Sequence, residues 1–167
     1  CAGDFNNDNY LDIVSGAYSY TSNRGRAYLF YGGTAMDTLV DRTFSGELTS
    51  FFSWRLLAAD VNNDSFQDLV IGAYGYGDNR GRAYLFYGGA TMSENPDLTF
   101  TLDQSACSQN IALVCADFND DNYQDIVLGG NDYNTARGRV YLYFGSASMD
   151  AVCDKTFTGI AQYSRFS

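Results

Sequence analysis

The chain alternates short apolar runs with breaks rich in Gly, Asn and Ser. In its middle third the runs are "WRLLAA" (54–59), "DLVIGA" (68–73), "RAYLFYG" (82–88) and "DLTFTL" (97–102). Each is bounded by turn residues, none is long enough for a helix, and no stretch holds a 3.6-residue period, so each is read as a strand. The pattern also repeats. "GAYSYTSNRGRAYLFYGG" (16–33) answers "GAYGYGDNRGRAYLFYGG" (72–89), and "GGNDYNTARGRVYLYFGS" (129–146) is a more divergent third copy. The unit is about 56 residues long. Four short antiparallel strands per unit make one propeller blade. The expected fold is therefore all-β: three four-stranded antiparallel blades of a β-propeller-like repeat array. The repeats are expected at about 1–46, 47–102 and 103–159, with the start of a further blade at 160–167.

Each unit also carries an acidic loop between its first two strands: "DFNNDNYLD" (4–12), "DVNNDSFQD" (60–68) and "DFNDDNYQD" (117–125). Carboxylates at loop positions 1, 5 and 9, with Asn at 3, bring hard oxygen donors around one point. Calcium takes six to eight such oxygens at about 2.3–2.6 Å and accepts irregular geometry. The backbone carbonyl at position 7 (Tyr10, Phe66, Tyr123) would add a further oxygen. Without a cation the carboxylates would repel one another, and their pKa values would rise. An EF-hand does not fit, because its twelfth-position Glu is replaced by Ser15, Ile71 and Leu128 and no helix flanks the loop. Magnesium is disfavoured by its demand for octahedral, water-rich sites. A metal-free Asx turn is disfavoured by the threefold recurrence.

Composition narrows the function. The formal net charge is −10, with 20 acids against 10 bases, which disfavours a nucleic-acid partner. Three bound divalent cations would bring the charge to −4. No apolar run approaches the length of a membrane span. The absence of His excludes Ser-His and Cys-His catalysis, and no enzyme activity is expected. The cysteines (Cys1, Cys107, Cys115, Cys153) lack zinc spacing. Buried thiols and disulfides both remain open readings. Cys1 and Cys115 stand at matching places before their acidic loops.

The loop D-x-N-x-D-x-x-x-D, the apolar pair before Gly-Ala, and the following G-R-φ-Y-φ-φ-x-G together resemble FG-GAP repeats. These are the blades of the integrin α-subunit type β-propeller, and the resemblance spans essentially the whole chain. It implies about three Ca²⁺ ions, one per repeat. Their ligands would be Asp4, Asn6, Asp8, Tyr10 and Asp12; Asp60, Asn62, Asp64, Phe66 and Asp68; and Asp117, Asn119, Asp121, Tyr123 and Asp125. Two departures matter. Gly is usual at loop position 6, whereas Asn9, Ser65 and Asn122 stand here, so loop two is expected to bind more weakly. Tyr18, Tyr74 and Asn131 replace the Pro of "GAP", which leaves the next turn less rigid.

That next turn carries paired arginines, "NRGR" (23–26, 79–82) and "ARGR" (136–139), preceded by tyrosines. It lies at the end of the blade opposite the acidic loops. The resemblance implies partner binding on that face, so Tyr18, Tyr20, Arg24, Tyr74, Tyr76, Arg80, Tyr133 and Arg137 are ligand-face candidates for a protein or glycan. Pairing of the arginines with a neighbouring blade's acids, and packing of the tyrosines between blades, are the structural alternatives. Asn63 begins a glycosylation sequon inside a metal loop. The tail from Phe157 and the head before Asp4 read as complementary halves of one inner strand. This predicts association with further blades of a longer chain, or head to tail between copies. The expected role is a calcium-binding extracellular or cell-surface module for adhesion, binding or structural assembly. The rival is a non-catalytic propeller segment appended to a secreted hydrolase, such as a phospholipase or glycosidase.

Overall fold

The computed structural model describes residues 1–103, 111–163 and 165–166. They form three four-stranded antiparallel sheets. The first contains β1 (Ala2–Gly3), β2 (Asp12–Ala17), β3 (Arg26–Phe30) and β4 (Arg42–Ser45). The second contains β5 (Arg55–Ala59), β6 (Asp68–Ala73), β7 (Arg82–Phe86) and β8 (Leu98–Thr101). The third contains β9 (Ile111–Ala116), β10 (Asp125–Gly130), β11 (Arg139–Tyr143) and β12 (Lys155–Thr158). In each sheet spatial order follows chain order, so every connection is a hairpin and each sheet is one blade. The sheets do not close into a ring among the described residues.

The strands are slightly shorter than the apolar runs. In blade 2 the third run stops pairing at Phe86, because the Tyr87 and Gly88 N–H groups turn away to the carboxylates of Asp97 and Asp68. Three four-residue helical turns, α1 (Tyr20–Asn23), α2 (Tyr76–Asn79) and α3 (Tyr133–Ala136), precede the third strand of each blade. Left-handed residues inside them, such as Asn134 (φ 46°) and Thr135 (φ 59°), make them tight turns rather than lengths of helix.

The core lies between blades. Side chains alternate along a strand, and in β6 this sends Leu69, Ile71 and Ala73 into a cluster with Val14, Leu29 and Phe44 of blade 1. Val70 enters the opposite cluster, with Ile126, Leu128 and Tyr143 of blade 3. Strand β7 divides in the same way: Tyr84 and Phe86 face blade 1, while Ala83 and Leu85 face blade 3. Phe44 packs edge-on to Phe86 at 4.7 Å, and Phe100 reaches Tyr143 at 4.7 Å.

The connection leaving blade 1 crosses the arginine turn of that blade. Phe51 and Phe52 donate their N–H groups to the carbonyls of Asn23 and Arg24, at 2.8 and 3.3 Å. The tail repeats this path, with Arg165 and Phe166 donating to Ala136 and Arg137 at 2.9 and 3.0 Å. Gly25 and Gly138 have φ +79°, and a Cβ there would lie 2.2 and 1.9 Å from the carbonyl oxygens of Phe52 and Phe166. Only glycine fits under the crossing chain. Ser164 and Ser167, part of the expected half-strand, lie outside the described residues, as does Cys107.

The expected match of Cys1 with Cys115 is off by one residue. Ala2 pairs with Ile13 and Cys115 with Ile126, so Cys115 corresponds to Ala2 and Cys1 stands one place earlier. Cys1, Cys115 and Cys153 are free thiols. Burial pushes the Cys115 thiol up to about 12, with smaller contributions from Asp125 and Asp68.

Candidate metal centre

The acidic loops join the first two strands of each blade, and all three fold alike. In loop 1, Asp4 accepts the N–H groups of Asp8 and Asn9, at 3.0 and 2.8 Å. Asn6 Oδ1 also accepts from Asp8 N, at 3.1 Å. Asp8 accepts from the Asn6 carboxamide and from Tyr10 N, at 3.0 and 2.9 Å. Asp60, Asn62 and Asp64 repeat these bonds, with Ser65 and Phe66 N–H donating at 3.0 and 2.9 Å. Asp117, Asn119 and Asp121 do so a third time. These are Asx turns in series, and they require left-handed backbone at position 6: Asn9 (φ 69°), Ser65 (φ 74°) and Asn122 (φ 71°). The position that usually holds Gly thus keeps the geometry Gly would supply. Ser65 adopts it as Asn does, with the strain a Cβ brings there.

Position 9 is different in kind. Asp12, Asp68 and Asp125 are completely buried. Each accepts one N–H from the residue at loop position 2 (Phe5, Val61, Phe118), at 2.8 to 2.9 Å. Each accepts another from a glycine after the third strand (Gly32, Gly88, Gly145), at 2.7 to 2.9 Å. Those glycines must come close: a Cβ on any of the three would lie 2.4 Å from the carbonyl oxygen of Leu11, Gln67 or Gln124. Position 9 therefore ties the loop to two strands and to the next turn.

The electrostatics follow from burial. Desolvation pushes the Asp68 carboxyl up to about 7, aided by the charges of Asp64 and Asp60 and opposed by its two backbone donors. Asp12 is raised in the same way, with Asp8 and Asp4 contributing. At the exposed lip of loop 3, desolvation of Asp117 is outweighed by backbone N–H donors from Asn122, Asp121, Asp120 and Asn119, and its carboxyl lies below the ordinary range. Among the described residues no three acidic side chains converge as a ready-made cage. The donor set nonetheless fits a hard cation. Each loop offers only oxygens, and a fully buried carboxylate sits within the field of two others.

At the opposite end the tyrosines are already engaged. Tyr18 meets Trp54 edge-on at 4.9 Å, Trp54 meets Tyr74 at 5.0 Å, and Tyr74 stacks on Phe51 at 4.6 Å. This aromatic row joins blades 1 and 2. Tyr20, Tyr76 and Tyr133 lie beneath the guanidinium groups of Arg26, Arg82 and Arg139, at 4.1, 3.5 and 3.6 Å. Arg80 is exposed, whereas Arg24 and Arg137 are half-buried.

In blades 2 and 3 the second arginine of the turn pairs with an acid of the preceding blade. Arg82 meets Glu47 at 3.2 Å and Arg139 meets Asp103 at 3.0 Å. The hydroxyls of Tyr84 and Tyr141 donate to the same two carboxylates. Pairing of the turn arginines with a neighbouring blade's acids, one of the sequence expectations, holds for Arg82 and Arg139, whereas sequence reading did not single out Tyr28, Tyr84, Tyr141, Glu47 and Asp103. The signal was available in the repeated Arg-x-Tyr of the third strand, which puts both side chains on one face.

With this geometry in place the kinship of the chain is clear. Residues 1–30 and 52–86 match the FG-GAP repeat, so the chain carries FG-GAP repeats. It is 30% identical over 147 residues to phosphatidylinositol-glycan-specific phospholipase D of Bos taurus, covering 77% of this chain and 18% of that protein. It is 28% identical over 160 residues to integrin alpha-8 of Mus musculus, covering 87% of this chain and 14% of that one. With integrin alpha-3 of Cricetulus griseus the identity is 29% over 146 residues, or 83% and 14% of the two chains. The chain thus spans less than a fifth of the length of these relatives.

Proposed function

We propose that this chain is a calcium-stabilised β-propeller segment of an extracellular or cell-surface protein, serving binding or assembly rather than catalysis. The observation that carries the reading is the threefold loop with a fully buried Asp at position 9 and two further carboxylates above it. Calcium would be held by Asp4, Asn6, Asp8, Tyr10 and Asp12, and by the corresponding oxygens of loops two and three. It would neutralise charge that the fold otherwise leaves uncompensated. The repeats at about 1–46, 47–102 and 103–159 would each hold one ion. Assembly with further blades is supported by the bare outer faces of blades 1 and 3, where Ile13 and Phe157 are exposed. The arginine-turn end, with Tyr18 and Tyr20 still partly exposed, is the face offered to a protein or glycan partner. Among the described residues no helix is long and apolar enough to cross a membrane.

Titration calorimetry with Ca²⁺ and thermal melts with and without chelator test this. About three sites are expected, and chelation should lower the melting temperature by native-state linkage. Asp8→Ala, Asp64→Ala and Asp121→Ala should each remove one site. Absence of binding heat with an unchanged melting temperature would overturn the reading.

A second reading is favoured by the match to phosphatidylinositol-glycan-specific phospholipase D, which covers only 18% of that protein. Here the blades accompany a secreted hydrolase without contributing to its chemistry. A catalytic domain on the same polypeptide would decide for it, and additional blades with a membrane anchor would decide against it.

A further inference from the structure

The Arg-Tyr pair of the third strand recurs in all three blades, but its carboxylate partner does not. In blade 2, Arg82 donates Nε–H to Thr101 Oγ1 at 2.7 Å and an Nη1 hydrogen to Glu47 at 3.2 Å, and Tyr84 donates to the second oxygen of Glu47. In blade 3, Arg139 donates to Thr158 Oγ1 at 2.9 Å and to Asp103 at 3.0 Å, with Tyr141 on the other Asp103 oxygen. Both carboxylates come from the preceding blade. They occupy one defined place, immediately after the residue whose N–H bonds the arginine-turn glycine of that blade: Gly46 to Gly25, and Leu102 to Gly81.

Blade 1 has the same apparatus with nothing in it. Arg26 and Tyr28 stand in the same register, with Arg26 opposite Ser45 as Arg82 is opposite Thr101. Tyr20 is in place beneath the guanidinium. Arg26 Nε is buried without a hydrogen-bond partner, and among the described residues no carboxylate pairs with Arg26 and nothing bonds the Tyr28 hydroxyl. The exit position of blade 3 follows Gly159, which bonds Gly138. It holds Ile160, 96% exposed, where the other two exits hold an acid.

We propose that Arg26 and Tyr28 form a carboxylate-binding site for the exit residue of another FG-GAP blade, an Asp or Glu placed as Glu47 and Asp103 are. The site selects which blade can precede blade 1. A blade leaving with an acid supplies both hydrogen bonds, and one leaving with an apolar residue buries the guanidinium unpaired. The chain's own exit is of the apolar kind, so an unaltered copy is the mismatched partner. The inference is independent of calcium, because the site lies at the opposite end of the blade from the metal loops.

The test converts the mismatched exit into a matched one. Ile160 is almost fully exposed, so Ile160→Glu leaves the fold intact, and Ile160→Gln controls for polarity. Sedimentation velocity of the full chain, with calcium held constant, should show Ile160→Glu associating between copies about tenfold more tightly than Ile160→Gln. Adding Arg26→Gln or Tyr28→Phe should remove that gain while leaving the melting temperature within a degree or two. Equal association of the Glu and Gln variants would overturn the proposal. So would a gain that survives Arg26→Gln.

Discussion

Blade 2 and its two neighbours are built from nearly the same residues but live in different surroundings. Every residue of β6 is buried, whereas β2 alternates between buried and exposed, and all four residues of β12 are exposed. Phe44 and Phe100 are completely buried, and the equivalent Phe157 is 51% exposed. The same holds at loop position 2, where Phe5 and Val61 are buried and Phe118 lies open. The difference is not in the strands but in what covers them. A blade of this kind has little core of its own, and its apolar side chains become interior only when another sheet packs on top.

The largest test of that contrast compares equivalent phenylalanines. Phe100→Ala should cost about 3–5 kcal/mol, because it empties a filled position between blades 2 and 3. Phe157→Ala should cost less than about 1 kcal/mol, since half of that ring is in water. Urea denaturation measures both. A similar loss for the two would mean that the outer face of blade 3 is covered in solution.

A smaller effect is expected where blades are joined by charge. Asp103→Asn should destabilise by about 1 kcal/mol, through loss of a half-exposed ion pair and weakening of the Tyr141 hydrogen bond. Ile160→Asn, at the matching place of blade 3, should leave stability unchanged in the same assay. A neutral Asp103→Asn would show that the clasp contributes position rather than energy.

The smallest expected effect separates the acidic loops. Ser65 holds φ 74° with a β-carbon, where Asn9 and Asn122 tolerate the left-handed region better. Ser65→Gly should relieve about 0.5–1 kcal/mol of strain and tighten calcium binding at loop two by roughly threefold. Asn9→Gly should change little. Calorimetry on the two variants checks the order.

Much of this arrangement was legible in the residues. The strands of blade 2 fall within the apolar runs, because alternating β-branched and aromatic residues bounded by Gly and Asn specify local pairing. The acidic loops were legible too, since the carboxylates and the Asn that bond the turn lie within nine adjacent residues. What escaped was which acid would pair with the second arginine of a turn. Its partners are 35 and 36 residues away in the chain, in connections whose course no local pattern describes. For the tyrosines the residues leave a ligand face and packing between blades both open, and the ring contacts of Tyr18 with Trp54 and of Tyr74 with Phe51 are of the packing kind.

The sequence by itself determined the repeat, the four-strand plan of each blade, and the clustering of oxygen donors at one end. These depend on interactions a few residues long, and neighbouring residues express them wherever the chain lies. Only the tertiary structure decided which apolar side chains became core and which arginines found an acid. Phe100 and Phe157 carry the same side chain at the same place in a blade. One is buried and the other is half in water because burial belongs to the sheet that packs against a strand, not to the strand.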